Sequence, residues 1–96
     1  MKIVEITKSG LDASKEMLSA NISHIILYED SRPYKLVVYF VNKVYKTFEF
    51  ETTSEGLDMY NALASFWLGD FNEDDCWCFS INVDKNGKVT WETLLV

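Results

Sequence analysis

Between positions 44 and 51 the side chains change character at every step. Val44, Lys46, Phe48 and Phe50 alternate with Tyr45, Thr47, Glu49 and Glu51. An extended chain sends successive side chains to opposite faces, so both phenylalanine rings fall on one face and both glutamates on the other. A strand with one dry face and one wet face needs partner strands beside it and an apolar layer over it, so the rest of the chain has to supply both.

Residues 23–29 and 34–41 are rich in β-branched and aromatic residues and are separated from each other and from 44–51 by short polar breaks. They read as the other two strands of a meander. Trp77, Phe79, Ile81 and Val83 alternate in the same way, Asp84-Lys85-Asn86-Gly87 supplies a turn, and Val89, Trp91, Thr93 and Leu95 continue on a return strand. The cover follows position 51. Thr52 and Glu55 have the spacing of a capping box, in which each side chain satisfies a free backbone amide at a helix start. Leu57, Tyr60, Leu63, Ala64 and Trp67 then recur at three and four residues up to about Leu68, and Gly69 stands where a left-handed C-terminal cap belongs. At the other end, residues 2–6 read as a short strand, and residues 11–20, with Ser9 as N-cap, as a short helix. The order β-α-β-β-β-α-β-β predicts one α+β domain over residues 1–96. It is expected in two layers, an antiparallel sheet of meander plus C-terminal hairpin packed on one main helix and a short N-terminal helix.

A chain of 96 residues with fourteen aromatics, one Pro and four Gly is long enough for one core and has neither the composition of a disordered chain nor room for a second domain. Its longest apolar run is the six residues 36–41, far short of a membrane span. Glu5 interrupts the start before any apolar run of signal-peptide length, so no such leader is expected. Cys76 and Cys78 lie one residue apart and have no distant thiol to pair with, which favours a reduced, cytoplasmic setting without disulfides.

Charge is the feature that bears most on function. The chain carries fifteen acids against nine bases, a formal −6 with pI near 4.6. Such a field disfavours direct binding to nucleic acid or anionic membrane and favours a basic protein partner. The imbalance is local. Glu49, Glu51, Glu55, Asp58, Asp70, Glu73, Asp74 and Asp75 occur between positions 49 and 75 with no Lys, Arg or His among them, while the flanking segments are neutral or mildly basic. Such a block is either a solvated surface or a docking face. Aromatics are interleaved with it, Phe71 inside the run from Gly69 to Asp75 and Tyr45 on the strand face of Glu49 and Glu51. Acids with aromatic anchors are a pattern of protein interfaces. The candidate partner-binding residues are therefore Asp70, Phe71, Glu73, Asp74, Asp75, Glu49, Glu51 and Tyr45.

Other chemistry finds no support. Counted as a calcium loop from Asp70, the sixth position is Asp75 where glycine is needed and the twelfth is Ile81 where glutamate is needed. Cys76 and Cys78 have one intervening residue instead of two to four, and His24 is the single imidazole, so neither a zinc site nor a Cys/His nucleophile assembles from the pattern. The four glycines are far apart and build no phosphate cradle. No metal, no cofactor and no catalytic residue are expected, and the chain reads as a non-enzyme.

The meander 25–50, the capped helix 53–68 and the acidic loop 70–75, about half the chain, resemble the small acidic anti-CRISPR inhibitors encoded by phages. The resemblance implies a protein in a host cytoplasm that occupies the basic channel of a Cas nuclease, with Asp70, Glu73, Asp74 and Asp75 standing in for DNA phosphates. The neutral N- and C-terminal thirds would confine such mimicry to one side. Two other readings share the same residues: an immunity protein against a basic toxin nuclease, and a structural or assembly module, including a homodimer through an exposed strand edge.

Overall fold

The computed structural model describes residues 1–30 and 32–96. Its elements are β1 (Lys2–Lys8), β2 (Ser14–Ser19), β3 (Ile22–Tyr28), β4 (Tyr34–Phe40), β5 (Tyr45–Phe50), α1 (Thr53–Leu68), β6 (Trp77–Val83) and β7 (Val89–Leu95). The alternation in β5 is realised: Phe48 and Phe50 are buried, while Tyr45, Thr47 and Glu49 face outward. The fold is α+β, as the element pattern requires, but the strands form two sheets instead of one.

β3, β4 and β5 form the antiparallel meander, with Leu36 opposite Phe48 and Tyr34 opposite Phe50. The second sheet has the order β2-β1-β6-β7. Here β6 and β7 form the expected hairpin, but β1 lies parallel to β6, Lys2 beside Trp77 and Val4 beside Phe79. The inner faces of both sheets and one stripe of α1 close on a single core that includes Val4, Leu36, Phe48, Phe50, Leu63, Phe66, Phe79 and Ile81. Phe50 meets Trp91 edge-on at 6.4 Å and Phe66 meets Phe79 at 5.6 Å, so the meander and the helix each reach the four-stranded sheet through an aromatic pair.

Three local expectations are corrected. Residues 11–20 do not form a helix: residues 14–19 are β2, antiparallel to β1, with Leu18 opposite Val4. The Lys, Glu, Met and Leu of this segment are good helix formers, yet the free edge of β1 gives them a ladder and a core contact that local propensity cannot match. The buried stripe of α1 is Gly56, Met59, Leu63 and Phe66, about one residue round from the expected one, and Leu57 is 45% exposed. Gly56 favours this rotation, because a Cβ there would stand 3.0 Å from Leu27 Cδ1 and the bare backbone lets the helix pack close to that side chain. Gly69 is extended (φ −71°, ψ 152°), not left-handed.

The turns behave as their chemistry dictates. The Thr52 hydroxyl accepts from the Glu55 amide at 3.2 Å and donates to its carboxylate at 3.1 Å, which caps α1. In the β6–β7 turn Asp84 Oδ1 accepts from the amides of Asn86 and Lys88, each at 2.8 Å, and Gly87 takes the positive φ of 84°. No helix among the described residues is long and apolar enough to cross a membrane.

Candidate functional site

The acidic run 70–75 is the connection from α1 to β6, and two cations from the start of the chain hold it in place. Lys2, the first residue of β1, sends its ammonium to the end of α1, where it donates to the carbonyl oxygens of Trp67 at 3.0 Å and Gly69 at 2.8 Å. A positive group at this end of a helix satisfies free carbonyls and complements the helix dipole. The same ammonium lies 4.9 Å from the centre of the Phe71 ring. The amino group of Met1 donates to the carbonyl oxygen of Asp75 at 2.7 Å, and the amide of Trp77 donates to the carbonyl of Met1 at 2.8 Å.

Phe71 is turned inward by this arrangement. Its ring packs 5.6 Å from Phe66 and 5.0 Å from Trp77 and forms the underside of the loop, not a projecting anchor. The glycine at 69 is required by space: a Cβ would stand 2.6 Å from the carbonyl oxygen of Ser65 and 2.9 Å from the Phe71 ring. A turn inside the loop, with Asn72 accepting from the amides of Asp74 through Oδ1 (3.0 Å) and Asp75 through its carbonyl (3.1 Å), carries Glu73 and Asp74 to the surface. Asp70, Glu73 and Asp74 are exposed and Asp75 is half-buried. Among the described residues the ion pairs are Lys15 with Glu5 and Lys46 with Glu16, and neither involves a carboxylate of the block 49–75.

The other candidates lie elsewhere. Glu49 and Glu51 precede the N-terminus of α1, and the loop follows its C-terminus, so the 16-residue helix separates them by about 24 Å. Together with Glu55 they line a groove of about 240 Å³ against the β6–β7 turn, where Lys88 supplies a positive charge. Lys35 is the register partner of Glu49. The Arg32 guanidinium is held above its ordinary value, chiefly by its hydrogen bond with Tyr34 and in smaller part by the charge of Glu51. This half of the acidic block thus has basic side chains near its carboxylates, whereas the cations at the loop, Lys2 and the Met1 amino group, are bound to backbone carbonyls.

Tyr45, 62% exposed, shares the outer face of the meander with Glu49 but stands four residues away along β5, beside a different cluster. Its ring is 5.8 Å from Tyr39, and Tyr39 stacks on His24 at 4.2 Å. Burial, with the neighbouring Tyr28 and Tyr45, pushes the Tyr39 hydroxyl above its ordinary pKa. His24 Nδ1 lies 2.9 Å from Ser23 Oγ, so the one imidazole is engaged on the meander, while Cys78 is in β6 of the other sheet and Cys76 just precedes that strand. Burial, and secondarily the Glu5 carboxylate, raises the Cys78 thiol above its ordinary pKa, the opposite of what an activated nucleophile needs. No group of three or more His, Cys, Asp or Glu side chains among the described residues is placed to hold a metal ion.

Lys2 is the residue of this candidate site that the sequence concealed, since its partners lie 65 and 67 positions away and no short-range pattern marks it. Family models, curated proteins and solved structures give no match to this chain.

Proposed function

We propose that this protein is a non-catalytic inhibitor whose α1–β6 loop docks into the basic groove of a nucleic-acid-binding protein, its carboxylates taking the place of phosphates. An RNA-guided nuclease of the Cas type is the partner class that the resemblance names. One observation carries the reading. Lys2 and the amino group of Met1 are bound to backbone carbonyls, Lys2 to those of Trp67 and Gly69 at the end of α1 and Met1 to that of Asp75, and the carboxylates of Asp70, Glu73, Asp74 and Asp75 have no ion-pair partner among the described residues.

A loop held from beneath by its backbone presents its charges without first having to be ordered, so less conformational entropy is lost on binding. Unpaired carboxylates a few residues apart also create the local negative field that steers a basic surface toward them. The test is affinity capture with the tagged chain, identification of the captured proteins by mass spectrometry, and a wash with excess duplex DNA. The expected result is a DNA- or RNA-binding enzyme that the duplex displaces. A partner that stays bound in excess duplex would rule out phosphate mimicry.

A further inference from the structure

Each sheet leaves two edges open, β2 and β7 in one and β3 and β5 in the other. Edge strands carry a row of unpaired backbone groups, and proteins usually blunt them with charges, prolines or bulges. β2 has Lys15 and Glu16, β5 has Lys46 and Glu49, and β7 has Glu92. β3 has no formally charged residue. A register shift between Ile22 and His24 marks a bulge that interrupts its first part, but from Ile25 to Tyr28 the ladder with β4 is regular, residue for residue.

This uncharged stretch has a helix beside it. Because Gly56 lets α1 approach Leu27 closely, Leu57 and Tyr60 stand along the β3 edge and close a groove of about 300 Å³ with Ile25, Ile26, Leu27 and Glu29. Among the described residues no backbone hydrogen bond joins β3 to α1, so the edge keeps its free donors and acceptors. Glu29 is the one charged side chain lining the groove, and neither it nor Asp58, which follows Leu57, has an ion-pair partner among the described residues.

We infer that this groove takes an extended peptide of a partner protein as a fourth strand of the meander sheet. The peptide's backbone pairs with residues 25–28, aliphatic side chains at alternate positions enter between the edge and Leu57 and Tyr60, and a Lys or Arg meets Glu29. Strand addition against an edge flanked by a helix draws affinity from main-chain hydrogen bonds and specificity from alternate side-chain pockets. The charge at Glu29 selects a basic peptide over a second copy of this acidic chain. The surface is separate from the α1–β6 loop and does not depend on the function proposed for that loop.

The probe is a terminally capped peptide of alternating valine and threonine flanked by lysines, titrated into the ¹⁵N-labelled full chain. Saturable shifts are expected at the amides of residues 25–29 and at Leu57 and Tyr60. Methylating alternate peptide nitrogens on the pairing edge, or replacing the half-exposed Leu57 (Leu57→Lys), should each weaken binding about tenfold or more. Flanking glutamates in place of the lysines should also weaken it. The variant with Asp70, Glu73, Asp74 and Asp75 changed to amides should bind the peptide like the wild type, which separates this site from the loop. Absence of saturable shifts at millimolar peptide, shifts confined to another edge, or equal binding of the N-methylated peptide would overturn the inference. So would shifts of residues 25–28 with protein concentration alone, which would give the edge to a second copy.

Discussion

The ammonium of Lys2 lies 2.8 Å from the carbonyl oxygen of Gly69, so β1 caps the C-terminus of α1. It does the work assigned, on spacing alone, to a left-handed glycine at position 69. Replacement by an uncharged side chain of similar length, Lys2→Met, removes donation to two carbonyls and should destabilise the fold by about 1.5–3 kcal/mol, the range for hydrogen bonds to a charged group. Urea denaturation measures this, and a loss under about 0.5 kcal/mol would show that water replaces the ammonium without cost.

Gly69 and Gly87 test two different reasons for a glycine. At Gly69 the backbone is ordinary but a Cβ would collide with the Ser65 carbonyl and the Phe71 ring, so Gly69→Ala forces main chain or ring to move and should cost about 1–3 kcal/mol. At Gly87 nothing stands within 4 Å of the added atom, and the penalty is the positive φ of 84°, about 1 kcal/mol. Thermal melts of the two variants should rank them in that order.

Phe48→Ala should cost about 3–5 kcal/mol because the ring is 3% exposed in a core shared by both sheets. Leu57→Ala, at a position 45% exposed, should change stability by less than about 1 kcal/mol. The reverse order would restore Leu57 to the buried stripe of α1 and contradict the rotation that Gly56 favours.

Those two residues also show where sequence reading stops. The alternation around Phe48 and the Thr52–Glu55 cap are set by nearest neighbours, and both were legible. Gly56 contributes nothing to a hydropathy pattern, so the stripe through Met59, Leu63 and Phe66 was displaced. The parallel pairing of Lys2 with Trp77 joins residues from opposite ends of the chain, and the division into two sheets follows from it. Residues 11–20 read as a helix because the Lys, Glu, Met and Leu at 15–18 favour one locally, while the antiparallel ladder with β1 that claims residues 14–19 leaves no hydropathy period of its own. The acidic loop was legible as charge, but its inward Phe71 and its distance from Glu49 and Glu51 depend on that same remote pairing and on the length of α1.

Cys78, buried and with its thiol pKa raised, should react with iodoacetamide more slowly than the half-buried Cys76 near neutral pH. The folded state favours the protonated thiol. Its contribution to stability is therefore complete below the ordinary thiol pKa near 9.0 and declines as pH rises above it, as the unfolded chain ionises first. Mass spectrometry of alkylated peptides over a pH series checks the ranking, and faster labelling of Cys78 would contradict its burial. Chelator and reductant should leave the melting temperature unchanged; a fall of several degrees with either would reveal a metal or disulfide.

In the function proposed above, the loop carboxylates, with Lys2 holding the end of α1 beside them, bind a basic partner. Its most direct test is titration of the captured partner with the wild-type chain and with the variant D70N/E73Q/D74N/D75N at two salt concentrations. Screening shortens to about 8 Å at physiological ionic strength, so a contact made by exposed charges weakens as salt rises. Wild-type affinity should fall with salt, and the amide variant, with its fold intact, should bind at least about tenfold more weakly at low salt. Equal binding by the two proteins, insensitive to salt, would contradict it and leave the loop as a solvated surface.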